Sequence, residues 1–282
     1  MHPSVHAQAN PDKPAFIMAY SGETVTYGEL EARSNQGAHL FRSLGLEAGD
    51  SVAFFIDNHP RYYELLWAAQ RSGLRFTCLS SKLSPSEVEY IVKDCEAKVL
   101  VASPATLEIA LAVAPSIPDV AKFMVGGESG PFLSFEMARA GFPATPIADQ
   151  SAGRAMLYSS GTTGRPKGVK RAGVVDPAVD APNPLANLGQ ALYGWTPDTV
   201  YLSPAPLYHA APLGWSMAVQ AMGGTVVMME RFDAEDALRF VEQYKITSAQ
   251  WVPTHFVRML KLPPEARARY DMSSLKAVFH AA

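Results

Sequence analysis

Short hydrophobic runs alternate with amphipathic stretches along most of this chain. Thr26-Tyr27-Gly28-Glu29 has the form of a capping box, opening a helix to about Leu44 that Gly45 ends. Ser51-Val52-Ala53-Phe54-Phe55-Ile56 reads as a buried strand. Pro60 then marks the first turn of a helix reaching Ser72, with Gly73 beyond its end. Ser84-Pro85-Ser86-Glu87 repeats the capping box, and its helix leads into the strand Val99-Leu100-Val101. Further strands are expected at Lys122 to Val125 and at Ala155 to Tyr158. Beyond the prolines between Asp176 and Pro184, read as a surface connection, the pattern predicts strands at Thr199 to Leu202, Thr225 to Met229 and Ile246 to Val252. Helices fall at Leu213 to Met222 and from an Asp233 cap to Tyr244. Leu275 to Ala282 reads as one more buried strand, which stops without a turn or polar tail and so reads as cut. Such alternation argues for an α/β protein of layered, largely parallel sheets flanked by helices.

Composition narrows the class more than the function. With 282 residues, 48% hydrophobic and 18% charged, the chain suits one large or two ordinary globular domains. A net charge of −3 leaves no electrostatic footprint for nucleic acid. Cys78 and Cys95 are too few for a disulfide framework and read as packing residues of a reducing, cytoplasmic setting. No apolar run reaches the length of a transmembrane segment, and no signal peptide opens the chain. Oligomeric state leaves no mark on the sequence.

Candidate chemistry concentrates after Ala155-Met156-Leu157. The eleven residues Tyr158-Ser159-Ser160-Gly161-Thr162-Thr163-Gly164-Arg165-Pro166-Lys167-Gly168 hold three glycines, two serines, two threonines and one lysine. Glycines let backbone N–H groups approach a ligand, hydroxyls add donors, and the ammonium supplies a point charge. That inventory suits a polyphosphate. It does not fit Walker A, because Pro166 stands where the second glycine belongs and Gly168 where Ser or Thr follows the lysine. The complete string resembles the phosphate-loop signature of the adenylate-forming superfamily, which includes acyl-CoA synthetases, luciferases and peptide-synthetase adenylation domains.

A second segment, Pro204-Ala205-Pro206-Leu207-Tyr208-His209-Ala210-Ala211-Pro212, follows a strand and precedes a helix. By itself it reads as a rigid turn holding a hydrogen-bonded histidine. It also resembles the superfamily's aromatic-histidine motif, some forty residues after the phosphate loop. Trp251-Val252-Pro253-Thr254-His255 is similar to the family's strand-to-helix segment beside the acyl pocket, and otherwise reads as a strand end with Thr254 as helix cap. His2, His6, His39 and His59 sit in neighbourhoods that suggest nothing catalytic. Asn10-Pro11-Asp12-Lys13-Pro14-Ala15, Thr26 to Leu30 and Gly45 to Val52 follow the family's opening pattern, so the resemblance runs from about residue 10 onward.

The resemblance implies the incomplete large N-terminal domain of an adenylate-forming enzyme, residues 1–282, with lobes at 50–187 and at 10–49 plus 188–282. In the family, ATP and a carboxylate give an acyl-adenylate and pyrophosphate, and coenzyme A usually captures the acyl group. It implies ATP and phosphate binding by Ser159, Ser160, Gly161, Thr162, Thr163, Gly164 and Lys167, with Ser159 also a candidate Mg²⁺ ligand. It implies an acyl site lined by Tyr208, His209, Ala210, Trp215 and Pro253. The family's catalytic glutamate and lysine, and its mobile C-terminal domain, have no counterpart in these residues, so no catalytic residue is assigned and the chain alone is expected to be inactive. Ala210, Ala211, Leu213, Gly214 and Trp215 suggest a roomy pocket for a fatty or other apolar acid. The alternative is a short, non-catalytic acyl- or nucleotide-binding module descended from such enzymes.

Overall fold

The computed structural model describes residues 2–159, 167–169 and 178–280, apart from the side chains of Ser159 and Val169. It divides into two compact units, Glu31–Ala181 and Met1–Leu30 with Pro182–Ala282.

In the first unit, six parallel strands lie in the order Leu133–Ser134, Ala121–Met124, Ala97–Ala102, Ser51–Phe55, Arg75–Cys78, Arg154–Ala155. Every residue of Ser51–Phe55 is buried, as a strand covered on both faces requires. The helix Pro85–Asp94 packs Val88, Ile91 and Val92 into a cluster with Phe55, Leu100, Phe132 and Met156. Ser84 caps this helix as the sequence predicts, its N–H donating to Glu87 Oε2 at 2.9 Å. Helix Tyr62–Arg71 begins two residues later than the proline pattern suggests, with Pro60 in the turn before it.

The second unit holds a sheet in the order Ala277–Phe279, Ser248–Gln250, Val200–Ser203, Thr225–Met228, Pro14–Met18, Thr24–Thr26. All neighbours are parallel except Pro14–Met18 and Thr24–Thr26, which pair antiparallel through a short turn. Helix Ala234–Gln243 buries Ala237, Leu238, Phe240 and Val241 against this sheet's core. Asp233 caps it, its carboxylate accepting from the N–H groups of Glu235 at 2.9 Å and Asp236 at 3.1 Å. Asp233→Ala orphans both donors and is expected to cost about 1 kcal/mol in urea unfolding; a loss within error would mean that water serves them equally well. The capping box at Thr26 is also present: the Glu29 N–H donates to Thr26 Oγ1 and the Thr26 N–H to Glu29 Oε2. It opens helix Tyr27–Ser43.

Three expectations need correction. The strand expected at Ala155–Tyr158 is two short ones: Arg154–Ala155 joins the large sheet, and Leu157–Ser159 leaves it to pair with Lys167–Val169. The proline-rich connection is loop over its described residues 178–183, but at Pro184 a helix that the pattern does not predict begins. This helix, Pro184–Tyr193, is capped by Asn183 Oδ1 accepting from Leu185 and Ala186 N–H groups and ended by left-handed Gly194. Pro184, which closes the stretch read as loop, is here the first helical residue, where the absent N–H costs nothing. Thr254 is not a cap, because helix Pro253–Leu260 starts two residues earlier than that cap would place it, with Val252 in the cap position.

Candidate functional site

The stem of the glycine-rich segment is a two-stranded antiparallel hairpin. Lys167 stands opposite Ser159, Gly168 opposite Tyr158 and Val169 opposite Leu157. Its entry is fixed by Met156, which is buried in the Phe55–Leu100–Phe132 core and donates its N–H to Phe76 O at 2.9 Å. Tyr158 packs against the same cluster and donates its hydroxyl to Asp94 Oδ2 at 2.5 Å. Burial first, and the Asp94 carboxylate second, push the Tyr158 phenol well above its usual pKa. The Lys167 residue is exposed on the outgoing strand. Ser160, Gly161, Thr162, Thr163 and Gly164 lie outside the described residues, as does the Ser159 side chain.

The second unit gathers its candidates at one end of its sheet. Val200–Ser203, Ser248–Gln250 and Ala277–Phe279 are parallel neighbours, so their C-terminal ends share one edge. Open α/β sheets bind ligands at that edge. From it run Pro204 to His209, Trp251 to Pro253, and His280. His209 is exposed at the cap of helix Ala210–Met222, its ring 4.5 Å from that of half-buried Tyr208. Ala210 and Pro253 are exposed beside their helix starts.

Trp215 is not at the surface but in a ring cluster. Its indole meets Trp195 at 5.5 Å and Phe279 at 4.9 Å, and Tyr193 stacks on Phe279 at 4.5 Å. Trp195 donates its indole N–H to Ser248 Oγ at 3.0 Å. Gly214, read from sequence as a pocket residue, serves helix packing: a Cβ there would come within 3.0 Å of Leu185 Cδ1. Buried Leu213 likewise faces protein. The roomy pocket inferred from these small residues is therefore not what places Gly214.

The sequence reading missed several polar groups at this edge. Ser203 Oγ, Gln250 Nε2 and Trp251 Nε1 are buried with no protein partner among the described residues. Buried polar atoms are normally satisfied by protein, water or ligand, so three orphans at one sheet edge mark it as polar and receptive. No sequence signal announces Ser203 or Gln250, since each lies within an ordinary strand pattern, and Trp251 stands out only as part of a strand-to-helix segment. His255 is neutral at physiological pH: burial, reinforced by Arg258, lowers its pKa to about 4, and its Nδ1 faces the Val252 N–H at 3.5 Å. Its ring stacks on Phe232 at 3.9 Å.

The remaining histidines have structural roles. His2 Nδ1 accepts from the Ser4 N–H at the cap of Pro3–Ala9, His6 bonds Ala221 O, and His39 bonds Thr145 O. His59 Nδ1 accepts from the Arg61 N–H. Cys78 and Cys95 are buried free thiols, and burial pushes them up to about 12 and about 11. Among the described residues, no three His, Cys, Asp or Glu side chains gather as a metal site, and no helix is long and apolar enough to cross a membrane.

A family profile for AMP-binding enzymes matches residues 4–282. Over 278 residues the chain is 30% identical to the fatty acid–acyl-carrier-protein ligase ScoC of Streptomyces coeruleorubidus, covering 97% of this chain and 51% of that protein. It is also 30% identical over 267 residues to a feruloyl-CoA synthase of an Amycolatopsis species, covering 94% and 50%. Among solved structures, ATP-bound MatB from Rhodopseudomonas palustris matches with a TM-score of 0.77 at 25% identity, covering 100% of this chain and 55% of that one. The chain thus spans about half the length of the curated relatives it matches.

Proposed function

This chain belongs to the AMP-binding enzyme family, and from that premise we propose that it supplies the phosphate-holding and acyl-holding parts of an ATP-dependent acid–thiol ligase. The observation that carries the reading is the hairpin stem that presents Lys167 at the close of a Gly/Ser/Thr-rich segment. In the proposed reaction a carboxylate oxygen attacks the α-phosphorus of ATP. The bond from that phosphorus to the bridging oxygen breaks, and pyrophosphate leaves with the electron pair. The thiol of coenzyme A, losing its proton, then attacks the acyl carbon and AMP departs.

Lys167 offsets charge on the leaving phosphates, the kind of electrostatic help such transfers need. Glycines Gly161 and Gly164, with hydroxyls from Ser159, Ser160, Thr162 and Thr163, are proposed to donate to the same oxygens. Tyr208, His209, Ala210, Trp215 and Pro253 are assigned to the acyl end, where the orphaned Ser203, Gln250 and Trp251 groups supply polar partners for a carboxylate. Mg²⁺, if bound, would shield the phosphates. Among the described residues no three His, Cys, Asp or Glu side chains gather to cage it, and the Ser159 hydroxyl is proposed as one protein ligand beside several waters. The ring cluster around Trp215 favours an apolar or aromatic acid, in keeping with the fatty and ferulic acids named for the relatives.

ATP–pyrophosphate exchange tests the reading, with acids ranging from acetate through aromatic acids to long-chain fatty acids. A polypeptide extended to the relatives' full length should exchange with apolar acids in preference to acetate. The 282 residues alone should bind ATP without exchange, because the resemblance puts the metal-holding glutamate and catalytic lysine in the half they do not span. Acid-dependent exchange by the 282 residues would refute that division, and failure of the folded chain to bind ATP would remove the phosphate reading.

A further inference from the structure

Asp94 occupies an unfavourable place. It is the last residue of helix Pro85–Asp94, where a carboxylate faces the negative end of the helix dipole. Two tyrosines meet it there: Tyr158 donates to Oδ2 at 2.5 Å, and Tyr90, one turn back, lies 3.4 Å from Oδ1. Tyr158 in turn lies directly against the opposite strand of the hairpin. A Cβ on Gly168 would stand 2.9 Å from Tyr158 Cζ and 2.6 Å from Met156 Cε. The backbone of Gly168 is therefore seated on that ring, and only glycine permits so close an approach. Lys167 is the next residue.

We propose that Asp94 is a positioning residue for the phosphate-binding lysine: by holding the Tyr158 hydroxyl it fixes the ring on which Gly168 rests, and so sets the placement of Lys167. This rests on the reading of Lys167 as a phosphate ligand. The contacts form a chain of three links, from helix end to phenol to glycine backbone to lysine, across elements 64 residues apart in sequence. Met156 anchors the incoming strand in the core, so the tyrosine ring has one fixed end and Asp94 supplies the other.

Calorimetric titration of inorganic pyrophosphate into the 282-residue chain tests the proposal. Asp94→Ala and Tyr158→Phe should each weaken binding roughly three- to tenfold, the range of one ordinary hydrogen bond. Asp94→Asn keeps an accepting oxygen while losing the charge, and should recover most of the loss; comparing it with Asp94→Ala separates the hydrogen bond from electrostatics. Thermal melts should show no general loss of stability in Asp94→Ala, since a carboxylate opposed to the helix dipole has gone. In a Lys167→Ala background, Asp94→Ala should have no further effect, because its route to the ligand runs through that lysine.

Wild-type affinity in both Asp94→Ala and Tyr158→Phe would overturn the proposal and leave the phosphate role of Lys167 intact. Equal weakening by Asp94→Ala with and without Lys167 would overturn it too, by showing another route. Wild-type affinity in Lys167→Ala itself would instead sink the underlying phosphate reading, and the proposal with it.

Discussion

Replacing Glu64 by alanine is expected to cost about 3–5 kcal/mol of stability, the range for removing one partner from a buried ionic group. The Glu64 carboxylate is fully buried and accepts from three guanidinium groups: Arg33 at 3.0 Å, Arg61 at 2.9 Å and Arg139 at 3.0 Å. Arg139 is itself nearly buried and donates again to Gln36 Oε1 at 2.8 Å. Burial lowers its pKa, and the Glu64 charge opposes that shift. Without Glu64, nearly buried Arg139 loses its carboxylate partner, while Arg33 and Arg61 keep some contact with water and Arg61 keeps Glu136 at 3.9 Å. Glu64→Gln should fall between, since the amide keeps one accepting oxygen but turns its NH₂ toward cations. Arg33→Ala should cost least, because Arg33 is the most accessible of the three. Urea unfolding followed by circular dichroism measures all of these. Against a total of roughly 5–15 kcal/mol for a typical domain, the alanine variant would be close to unfolding. A change in midpoint equivalent to less than about 1 kcal/mol would mean that solvent reaches the cluster and screens it.

That cluster also shows what the sequence withholds. The capping boxes at Thr26 and Ser84 and the cap at Asp233 are legible because each joins a side chain to a backbone group two or three residues away. The central strands Ser51–Phe55 and Thr225–Met228 are legible because every residue in them is buried, so their apolar runs are unbroken. Little in the pattern around Glu64 distinguishes it from a solvated helix glutamate, since Arg33 and Arg139 come from helices distant in the chain and only Arg61, at the cap of its own helix, is a neighbour in sequence. Helix Pro184–Tyr193 was obscured for a different reason: Pro182 and Pro184 suit a loop as well as a helix start, and only the Asn183 contacts separate the two.

The candidate site divides along the same line. Its chemistry is carried by contiguous strings, Tyr158 to Gly168 and Pro204 to Pro212, and contiguous strings survive being read in one dimension. What supports those strings does not. The Asp94–Tyr158 hydrogen bond, the seat of Gly168, and the orphaned polar atoms of Ser203, Gln250 and Trp251 arise from strand order and register. Gly214 shows the reverse hazard. Small residues near a motif suggest room for a ligand, but this one makes room for Leu185 of a neighbouring helix.

Lys167→Ala is expected to weaken binding of pyrophosphate or ATP by about ten- to a hundredfold, as one charge-assisted hydrogen bond contributes about 1.5–3 kcal/mol. Folding should be untouched, because the residue is exposed on the outer strand of a two-stranded hairpin whose pairing is made by backbone groups. Such surface substitutions usually stay within about 0.5 kcal/mol. Lys167→Arg should recover only part of the affinity, since it keeps the charge but replaces a compact ammonium with a rigid planar fork. Ionic strength separates charge from shape. The advantage of lysine over alanine should shrink as salt rises, because exposed charges are screened over about 10 Å at 0.1 M. A loss independent of salt would assign the effect to loop conformation. Unchanged affinity in calorimetry, from protein with an unchanged melting temperature, would take Lys167 out of the site and leave the glycines and hydroxyls of the same segment to hold the phosphates unaided.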